Sequence, residues 1–283
     1  MKDLNNKIVW ITGASSGIGK ELAIQLAQEG ARIILTARSE DKLRALKTEL
    51  NGDEHWIVPM DLMQVDQVPE KVKEVLQQVG HIDILINNAG ISQRSKAIDT
   101  SIEVDRKIME LDHFSKVAMT KALLPSFIAR KSGMYVTISS VAGKIGVPMR
   151  TAYCAAKHAI IGFMDAIRAE NAQFGVEVLN VTPGFVKTNI SVNAMVGDGS
   201  THGVMDPLIA DGMPVEKCVN KIVRGIKKGK KELLIAEGRS GLAPILKRIY
   251  PNALFRMMEK IACLLYTSPS PRDQRGSRMP SSA

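Results

Sequence analysis

The sequence predicts a single α/β domain built on a doubly wound parallel sheet. Through about the first 180 of its 283 residues, short runs rich in β-branched residues alternate with longer amphipathic stretches. The short runs are apolar almost throughout, which is typical of strands covered on both faces. Strands and helices that alternate in this way are joined by right-handed crossovers between parallel neighbours. The length is sufficient for one large domain with a substantial buried core.

The elements can be assigned in chain order. The predicted strands are Ile8–Thr12, Arg32–Ala37, Glu54–Pro59, Ile82–Asn87, Gly133–Ser139 and Val176–Thr182. The predicted helices between them are Lys20–Glu29, Glu40–Leu50, Gln67–Val79, Arg106–Lys131 and Thr151–Phe174. Residues 188–215 are rich in Gly, Met, Asn and Asp, and we expect a mobile loop or lid there. A basic helix over 216–228 and a strand over Glu232–Ala236 complete a Rossmann-like domain of residues 1–240.

Two further segments follow this domain. Residues 241–265 alternate aliphatic and basic positions and predict an amphipathic segment. Residues 266–283 contain many Ser and Pro and almost no aliphatic side chains, so we expect them to be disordered. The change of composition at this junction is abrupt. It indicates either translated non-native sequence after a truncated gene or a natural disordered tail.

The formal net charge of +9 is unevenly distributed. Residues 1–215 carry 23 Lys and Arg against 24 Asp and Glu, whereas residues 216–283 carry 15 against 5. The nearly neutral domain argues against a nucleic-acid partner. The basic amphipathic segment over 242–265 fits a helix lying on an anionic lipid surface, and equally a solvated helix packed on the domain or on a neighbouring subunit.

The composition also bears on compartment and metals. Cys154, Cys218 and Cys263 are too few and too scattered for a disulfide framework. No apolar run approaches 18 residues, and the first residues have no signal-peptide core. These features predict a reducing, cytoplasmic environment. None of the five histidines has a metal-ligand pairing, so no metal site is predicted.

A glycine-rich turn follows the first predicted strand and leads directly into a helix. The turn follows Thr12 and comprises residues 13–19. Its candidate cofactor-binding residues, all but Ala14, are Gly13, Ser15, Ser16, Gly17, Ile18 and Gly19. Glycines allow the backbone to turn tightly and to approach a pyrophosphate, and the helix N-terminus presents N–H groups to phosphates. This strand–turn–helix context predicts a dinucleotide site.

Further motifs follow in a fixed order. They are Asn87-Asn88-Ala89-Gly90, then Ser140 with Tyr153 and Lys157, then Pro183-Gly184 with Val186 and Thr188. Over roughly residues 5–240 the chain therefore resembles the short-chain dehydrogenase/reductase family. The resemblance implies a Rossmann-like fold, a nicotinamide cofactor and a homodimer or homotetramer. It also implies that Val186 and Thr188 contact the nicotinamide, and that Asn88 to Gly90 line the adenosine ribose while Asp61 and Leu62 border the adenine.

Tyr153 and Lys157 are four residues apart and would share one face of a helix. A free tyrosine titrates near pH 10, and a neighbouring ammonium favours the phenolate form. Ser140, at the end of the preceding strand, can hydrogen-bond a substrate carbonyl. The resemblance implies the same roles and adds that Lys157 holds the nicotinamide ribose.

The end of the second strand bears on cofactor choice. An acidic residue there selects NAD through the ribose hydroxyls, whereas an arginine accommodates the 2′-phosphate of NADP. Ala37 occupies the acid position and Arg38 follows it. The sequence therefore favours NADP(H), while a solvated loop charge is the alternative for Arg38.

One position departs from the family pattern. The family usually has an Asn forty-one residues before the Tyr, where it helps to hold a water linked to the Lys, and Asp112 stands there instead. A carboxylate near Lys157 would raise the pKa of the lysine and weaken its effect on Tyr153. The sequence thus predicts an NADP(H)-dependent oxidoreductase acting on a carbonyl or alcohol substrate. The alternative is a non-catalytic NADP-binding sensor or scaffold of the same fold.

Overall fold

A seven-stranded parallel sheet forms the centre of the fold. The computed structural model describes residues 1–267, and the side chains of residues 1–263. The sheet order is β3-β2-β1-β4-β5-β6-β7. The strands are β1 (Ile8–Thr12), β2 (Arg32–Thr36), β3 (Trp56–Ile57), β4 (Ile84–Asn87), β5 (Gly133–Ile138), β6 (Val176–Pro183) and β7 (Glu232–Ile235). The order reverses between β1 and β4, which creates a crevice at the carboxyl ends of these strands.

Helices cover both faces of the sheet. They are α1 (Gly17–Gln28), α2 (Glu40–Glu49), α3 (Val68–Val79), α4 (Ile102–Met109), α5 (Ser115–Arg130), α6 (Thr151–Asn171), α7 (Pro207–Ala210), α8 (Val215–Lys227), α9 (Gly238–Ile249) and α10 (Pro251–Thr267). α1, α2 and α8 pack on one face, and α3, α5 and α6 pack on the other. The predicted doubly wound Rossmann-like sheet is confirmed.

The strand predictions are accurate where the strands are buried. All five residues of β1 and all six of β5 are buried, so an uninterrupted apolar run identifies them. The third strand is shorter than the predicted Glu54–Pro59. β3 pairs with β2 only through Trp56 and Ile57, because it lies at the edge of the sheet and has a single neighbour.

The predicted helix Arg106–Lys131 is wrong in its start and in its continuity. α4 begins at Ile102, where the Ser101 side chain accepts a hydrogen bond from the backbone N–H of Val104 at 3.4 Å. A π-helical turn, Glu110–Phe114, then separates α4 from α5. The apolar periodicity continues across this turn with a small offset, so the sequence pattern does not reveal it. Such turns are frequent at functional sites.

The stretch over 188–215 contains more regular structure than its weak periodicity predicts. It includes α7, whose first turn is capped by the Asp206 carboxylate accepting from the N–H of Leu208 at 3.0 Å. Met195 forms isolated bridges to Gln93 and to Thr201. The bridge to Gln93 ties the stretch to the loop that follows β4. Its mobility stays a prediction.

The predicted segment over 242–265 is two helices rather than one. The chain turns at Tyr250, because Pro251 starts α10 and disfavours a helical conformation in the residue before it. α10 also continues through Thr267 and so includes the first two residues of the predicted disordered tail. The remainder of that tail prediction, 268–283, lies outside the described residues. Within residues 1–267, no helix combines the length and apolarity needed to span a bilayer.

Packing between β5 and α5 yields a test of the fold. A Cβ atom at Gly133 would lie 2.1 Å from Cγ of Phe127. We expect Gly133→Ala to lower the free energy of unfolding by about 1–3 kcal/mol through overpacking, measured by urea denaturation. Gly162→Ala, at an exposed position of α6, is the control, since a Cβ there meets nothing within 4 Å; it should stabilise the protein by roughly 0.5–1 kcal/mol. Equal effects of the two substitutions would contradict the packing.

Candidate active site

The glycine-rich turn lies at the reversal point of the sheet, between β1 and α1. Gly13 and Gly17 have positive φ angles of 65° and 55°, a region that favours glycine. A Cβ at Gly19 would lie 2.2 Å from the carbonyl oxygen of Gly13. Ser16 precedes α1, and its side chain makes no cap hydrogen bond. The first N–H groups of α1 are therefore available to an anion such as a pyrophosphate.

Ser15 and Ile18 of the same turn are half-buried, whereas Ser16 is exposed. All six predicted residues thus lie on one turn at the mouth of the crevice. The N–H of Ala14 donates to the carbonyl of Thr36 at 3.0 Å and joins this turn to the end of β2. The residues present fit a bound dinucleotide, because the close backbone approach leaves no room for side chains at the glycines.

The Asn88–Gly90 segment packs directly against the glycine-rich turn. The Asn88 side-chain amide donates to the carbonyl oxygens of Thr12 at 2.9 Å and Gly13 at 3.2 Å. The N–H groups of Asn88 and Ala89 donate to the Thr12 hydroxyl at 3.0 and 3.1 Å. Asn88 and Ala89 therefore hold the glycine-rich turn in place, in addition to the ribose contact that the resemblance implies.

The residues predicted to select and border the adenosine lie at the ends of β2 and β3. Ala37 and Arg38 follow β2 immediately, and Arg38 is exposed. Asp61 is half-buried, and its carboxylate accepts from the N–H of Met63 at 3.0 Å. Leu62 is buried in the apolar core beside α3, so its side chain packs inward.

The turn after β6 closes the crevice from the opposite side. The N–H of Gly184, after Pro183, donates to the carbonyl of Ile235 at 2.8 Å. Val186 is buried and bridges to Met213. The Thr188 methyl group lies 3.2 Å from the position of a Cβ on Gly17. The structure therefore brings Thr188 and the glycine-rich turn together.

Ser140 lies just after β5, and Tyr153 and Lys157 lie in the first two turns of α6. The Ser140 hydroxyl accepts from the N–H of Ala142 at 3.1 Å and starts the turn after β5. Tyr153 and Lys157 are both buried, and the Lys157 Nζ lies 5.3 Å from the centre of the Tyr153 ring. The predicted one-turn spacing thus places the ammonium beside the phenol ring.

Asp112 forms a buried ion pair with Lys157. The Oδ2–Nζ distance is 3.0 Å, and Oδ1 accepts from the N–H of Ile91 at 2.7 Å. Burial alone would lower the pKa of Lys157, but the Asp112 carboxylate, with smaller contributions from Tyr153 and Lys116, raises that pKa above its usual value. The site admits no side chain at Gly90, where a Cβ would lie 2.8 Å from Oδ1 of Asp112.

The sequence reasoning did not identify Lys116, which belongs to the same cluster. Lys116 is buried in the first turn of α5, and its Nζ has no hydrogen-bond acceptor. Burial and the neighbouring Lys157 together hold the pKa of Lys116 well below its usual value. A sequence signal was present, because Lys116 is in phase with Met119, Leu123 and Phe127 on the buried face of α5.

A second cluster, of ion pairs and a helix cap, ties the 188–215 stretch to the start of α6. The Asp206 carboxylate lies 3.4 Å from Arg94 and 3.2 Å from Arg150. The Gln93 side-chain oxygen accepts from the N–H of Ala152 at 2.9 Å and caps α6. These contacts fix the backbone one turn before Tyr153.

The comparison with known proteins agrees with this geometry. Residues 7–196 match the family model described as short chain dehydrogenase. The chain belongs to the short-chain dehydrogenase/reductase family. It is 43% identical over 264 residues to dehydrogenase/reductase SDR family member 7B of Xenopus laevis, covering 90% of this chain and 81% of that protein. The predicted family membership is therefore confirmed.

Solved structures of dehydrogenases are similar to this chain in their fold. A short-chain dehydrogenase from Streptomyces avermitilis has a TM-score of 0.76 at 26% identity, covering 93% of this chain and 98% of that one. An alcohol dehydrogenase from Thermococcus sibiricus, complexed with 5-hydroxy-NADP, has a TM-score of 0.71 at 26% identity, covering 82% and 96%. Short-chain dehydrogenases/reductases are nicotinamide-dependent oxidoreductases.

The Asp112–Lys157 pair generates a prediction for this short-chain dehydrogenase/reductase. Asp112→Asn removes the charge that raises the pKa of Lys157 and leaves the lysine cation uncompensated beside Tyr153. We expect turnover at neutral pH to be kept or raised, and the titration limb of the rate to move to lower pH by about one unit. A pH–rate profile of both proteins measures this. A tenfold or larger fall in turnover would contradict it.

Proposed function

We propose that this protein is an NADP(H)-dependent oxidoreductase that transfers a hydride between nicotinamide and the carbon of a carbonyl or alcohol substrate. The observation that carries the proposal is the buried Lys157 ammonium, 5.3 Å from the Tyr153 ring centre, at the mouth of the crevice formed by the glycine-rich turn. Considered alone, a Tyr and a Lys four residues apart are a common surface pair. Burial of both favours a role in proton transfer over a surface pair.

The roles of the protein groups follow from their positions. When bound, the nicotinamide cofactor supplies or accepts the hydride. The α1 N-terminus and the glycine-rich turn hold the pyrophosphate. The Ser140 hydroxyl orients the substrate oxygen and stabilises developing negative charge on it. The Tyr153 hydroxyl exchanges a proton with that oxygen, and Lys157 favours the phenolate form by its charge and also holds the nicotinamide ribose.

Arg38 supports the choice of NADP(H). It is exposed directly after β2, and Ala37 stands where an acid would repel a 2′-phosphate. A guanidinium suits bidentate phosphate contact. The similar alcohol dehydrogenase from Thermococcus sibiricus is described with 5-hydroxy-NADP. The substrate is a small carbonyl or alcohol compound, and the family resemblance supports a homodimer or homotetramer.

The second candidate is a non-catalytic NADP-binding sensor or scaffold of the same fold. The observation in its favour is Asp112, whose ion pair with Lys157 offsets the positive charge next to Tyr153. It predicts tight cofactor binding without turnover on any carbonyl compound.

Tyr153→Phe separates these candidates. We expect the purified protein to consume NADPH with members of a ketone and aldehyde panel, and the variant to lose at least about a hundredfold in rate, since it has no proton to exchange. NADPH binding, measured by fluorescence, should be unchanged. Tyr250→Phe on the exposed surface is the matched control. Activity that survives Tyr153→Phe would exclude proton transfer by Tyr153, and binding without turnover by the unaltered protein would favour the sensor.

Arg38→Ala tests the cofactor choice. Charge-assisted hydrogen bonds contribute about 1.5–3 kcal/mol, so the KM for NADPH should rise roughly 10- to 100-fold while the KM for NADH changes little. Arg106→Ala, an exposed arginine on α4, is the control. Equal changes for the two cofactors would assign Arg38 to a solvated loop charge.

We also propose that α9 and α10 contact an anionic lipid surface. Their inner side, with Ala243 and Leu254, packs on Val141 and Ile145 just after Ser140. The outer side of α9 exposes an apolar stripe, Leu242, Ile245 and Ile249, at one-turn spacing. Basic side chains flank the stripe and its continuation into α10, at Arg239, Arg248, Arg256 and Lys260. Apolar and cationic groups on one surface suit a lipid interface with acidic headgroups.

Vesicle co-sedimentation tests this surface. We expect the protein to sediment with phosphatidylserine-containing vesicles at low salt, less at high salt, and not with phosphatidylcholine alone. The double variant Ile245→Ser with Ile249→Ser should lose binding. Ile98→Ser, which removes an exposed isoleucine elsewhere, should keep it. No sedimentation at low salt would refute the proposal. So would a double variant that dissociates an oligomer, because the stripe would then be a subunit interface.

A further inference from the structure

Lys116 is an unusual residue for a protein interior. Lys116 and Lys157 are the two buried lysines among the described residues. Lys157 has Asp112 as an ion-pair partner at 3.0 Å and the carbonyl of Ile138 as an acceptor at 3.4 Å. The Lys116 Nζ has no such acceptor and is shielded from solvent. A buried ammonium without an acceptor would be very costly, so the chemical form of Lys116 needs an explanation.

The surroundings of Lys116 contain one carboxylate. The charged and titratable groups that act on it are Asp112 and His113 of the π-helical turn and Lys157 of α6, and Tyr153 lies beside Lys157. Asp112 already forms an ion pair with Lys157 through Oδ2, and its Oδ1 accepts a hydrogen bond from the N–H of Ile91. One carboxylate cannot neutralise two ammonium groups in this interior.

The Lys116 and Lys157 side chains lie close enough for each to shift the pKa of the other. Two ammonium groups cannot hydrogen-bond to each other, since neither has a lone pair and their charges repel. A hydrogen bond between the two amino groups therefore requires one neutral amine as its acceptor. Lys157 is the one in direct contact with Asp112, so it keeps the charge and Lys116 provides the lone pair.

We propose that Lys116 is a positioning residue, a neutral amine whose lone pair accepts a hydrogen bond from the Lys157 ammonium. Together with Asp112, it fixes the direction of that ammonium beneath the Tyr153 ring, and the third N–H, which makes only the long 3.4 Å contact with the Ile138 carbonyl, remains for the nicotinamide ribose. The catalytic consequence rests on the proposed function, whereas the neutral state of Lys116 does not. Burial and Lys157 lower the pKa of Lys116, and Asp112 raises that of Lys157, in agreement with this division of charge.

The neutral state can be measured without any turnover. An unfolded lysine is protonated below about pH 10. If folded Lys116 is neutral, unfolding takes up one proton there, and the protein loses stability as the pH falls. The quantity compared is the unfolding equilibrium constant of the unaltered protein divided by that of Lys116→Met. This ratio should rise about tenfold for each unit by which the pH is lowered from 9 to 7.

Urea denaturation at several pH values measures the two unfolding equilibrium constants, that of the unaltered protein and that of Lys116→Met, and hence their ratio. Lys121→Met is the matched control, because Lys121 is exposed on the same helix and should give a ratio that does not change with pH. A pH-independent ratio for Lys116→Met would show that folded Lys116 is charged and would overturn the proposal. The result does not depend on whether the protein reduces carbonyl compounds.

The positioning role is tested by three substitutions with different hydrogen-bonding ability. Lys116→Gln supplies an uncharged acceptor, Lys116→Met supplies none, and Lys116→Arg is charged and has no lone pair to accept with. We expect kcat for Gln to stay within about threefold of the unaltered protein. For Met and Arg we expect kcat to fall tenfold or more, with a shifted pH–rate profile and an unchanged KM for the cofactor.

Higher activity of the Arg variant than of the Gln variant would overturn the proposal, because Lys116 would then act through its charge. If Lys116→Arg does not fold, the Gln and Met variants still test the acceptor role, since both side chains are uncharged and similar in size. Equal kcat values for these two variants would exclude that role. Absence of turnover by the unaltered protein would refute the proposed function, while the unfolding measurement would still decide the state of Lys116.

Discussion

The buried ion pair between Lys157 and Asp112 is the interaction on which the rest of the site depends. A lysine enclosed in the interior loses its hydration, and a carboxylate at 3.0 Å compensates for that loss. Three features of the chain provide this contact. The π-helical turn between α4 and α5 carries Asp112 into the site, Gly90 leaves the space for its carboxylate, and α6 places Lys157 one turn after Tyr153. The same pair leaves Lys116 without a counter-ion, which makes its chemical state a consequence of the fold.

The nucleotide crevice depends on a different constraint, the close approach of backbone to backbone. Gly13 and Gly19 lie so near each other and the Asn88–Ala89 peptide that side chains are excluded. Asn88 and Thr12 hold this arrangement with hydrogen bonds. These contacts define the backbone geometry on the phosphate side of the crevice. On the other side, the Asp206 contacts with Arg94 and Arg150 bind the 188–215 stretch to the start of α6.

Much of this could be predicted from the sequence, for identifiable reasons. Buried strands such as β1 and β5 are continuous apolar runs, and the glycine-rich turn and the Tyr153–Lys157 spacing are local patterns. The π-helical turn was not predictable, because it preserves the apolar periodicity. The burial of Lys116 follows from its phase on α5, but its closeness to Lys157 joins two different helices, which no local sequence pattern reveals. Likewise the break at Tyr250 depends on a single proline within a pattern that otherwise continues.

Hydride transfer between nicotinamide and a carbonyl carbon is the central claim about this protein. It is tested most directly with NADPH deuterated at the transferable C4 position and a panel of carbonyl compounds, with the product examined by mass spectrometry and NMR. The predicted result is an alcohol that carries deuterium on the carbinol carbon. Saturating NADPH binding with no deuterated alcohol from any compound of the panel would contradict it.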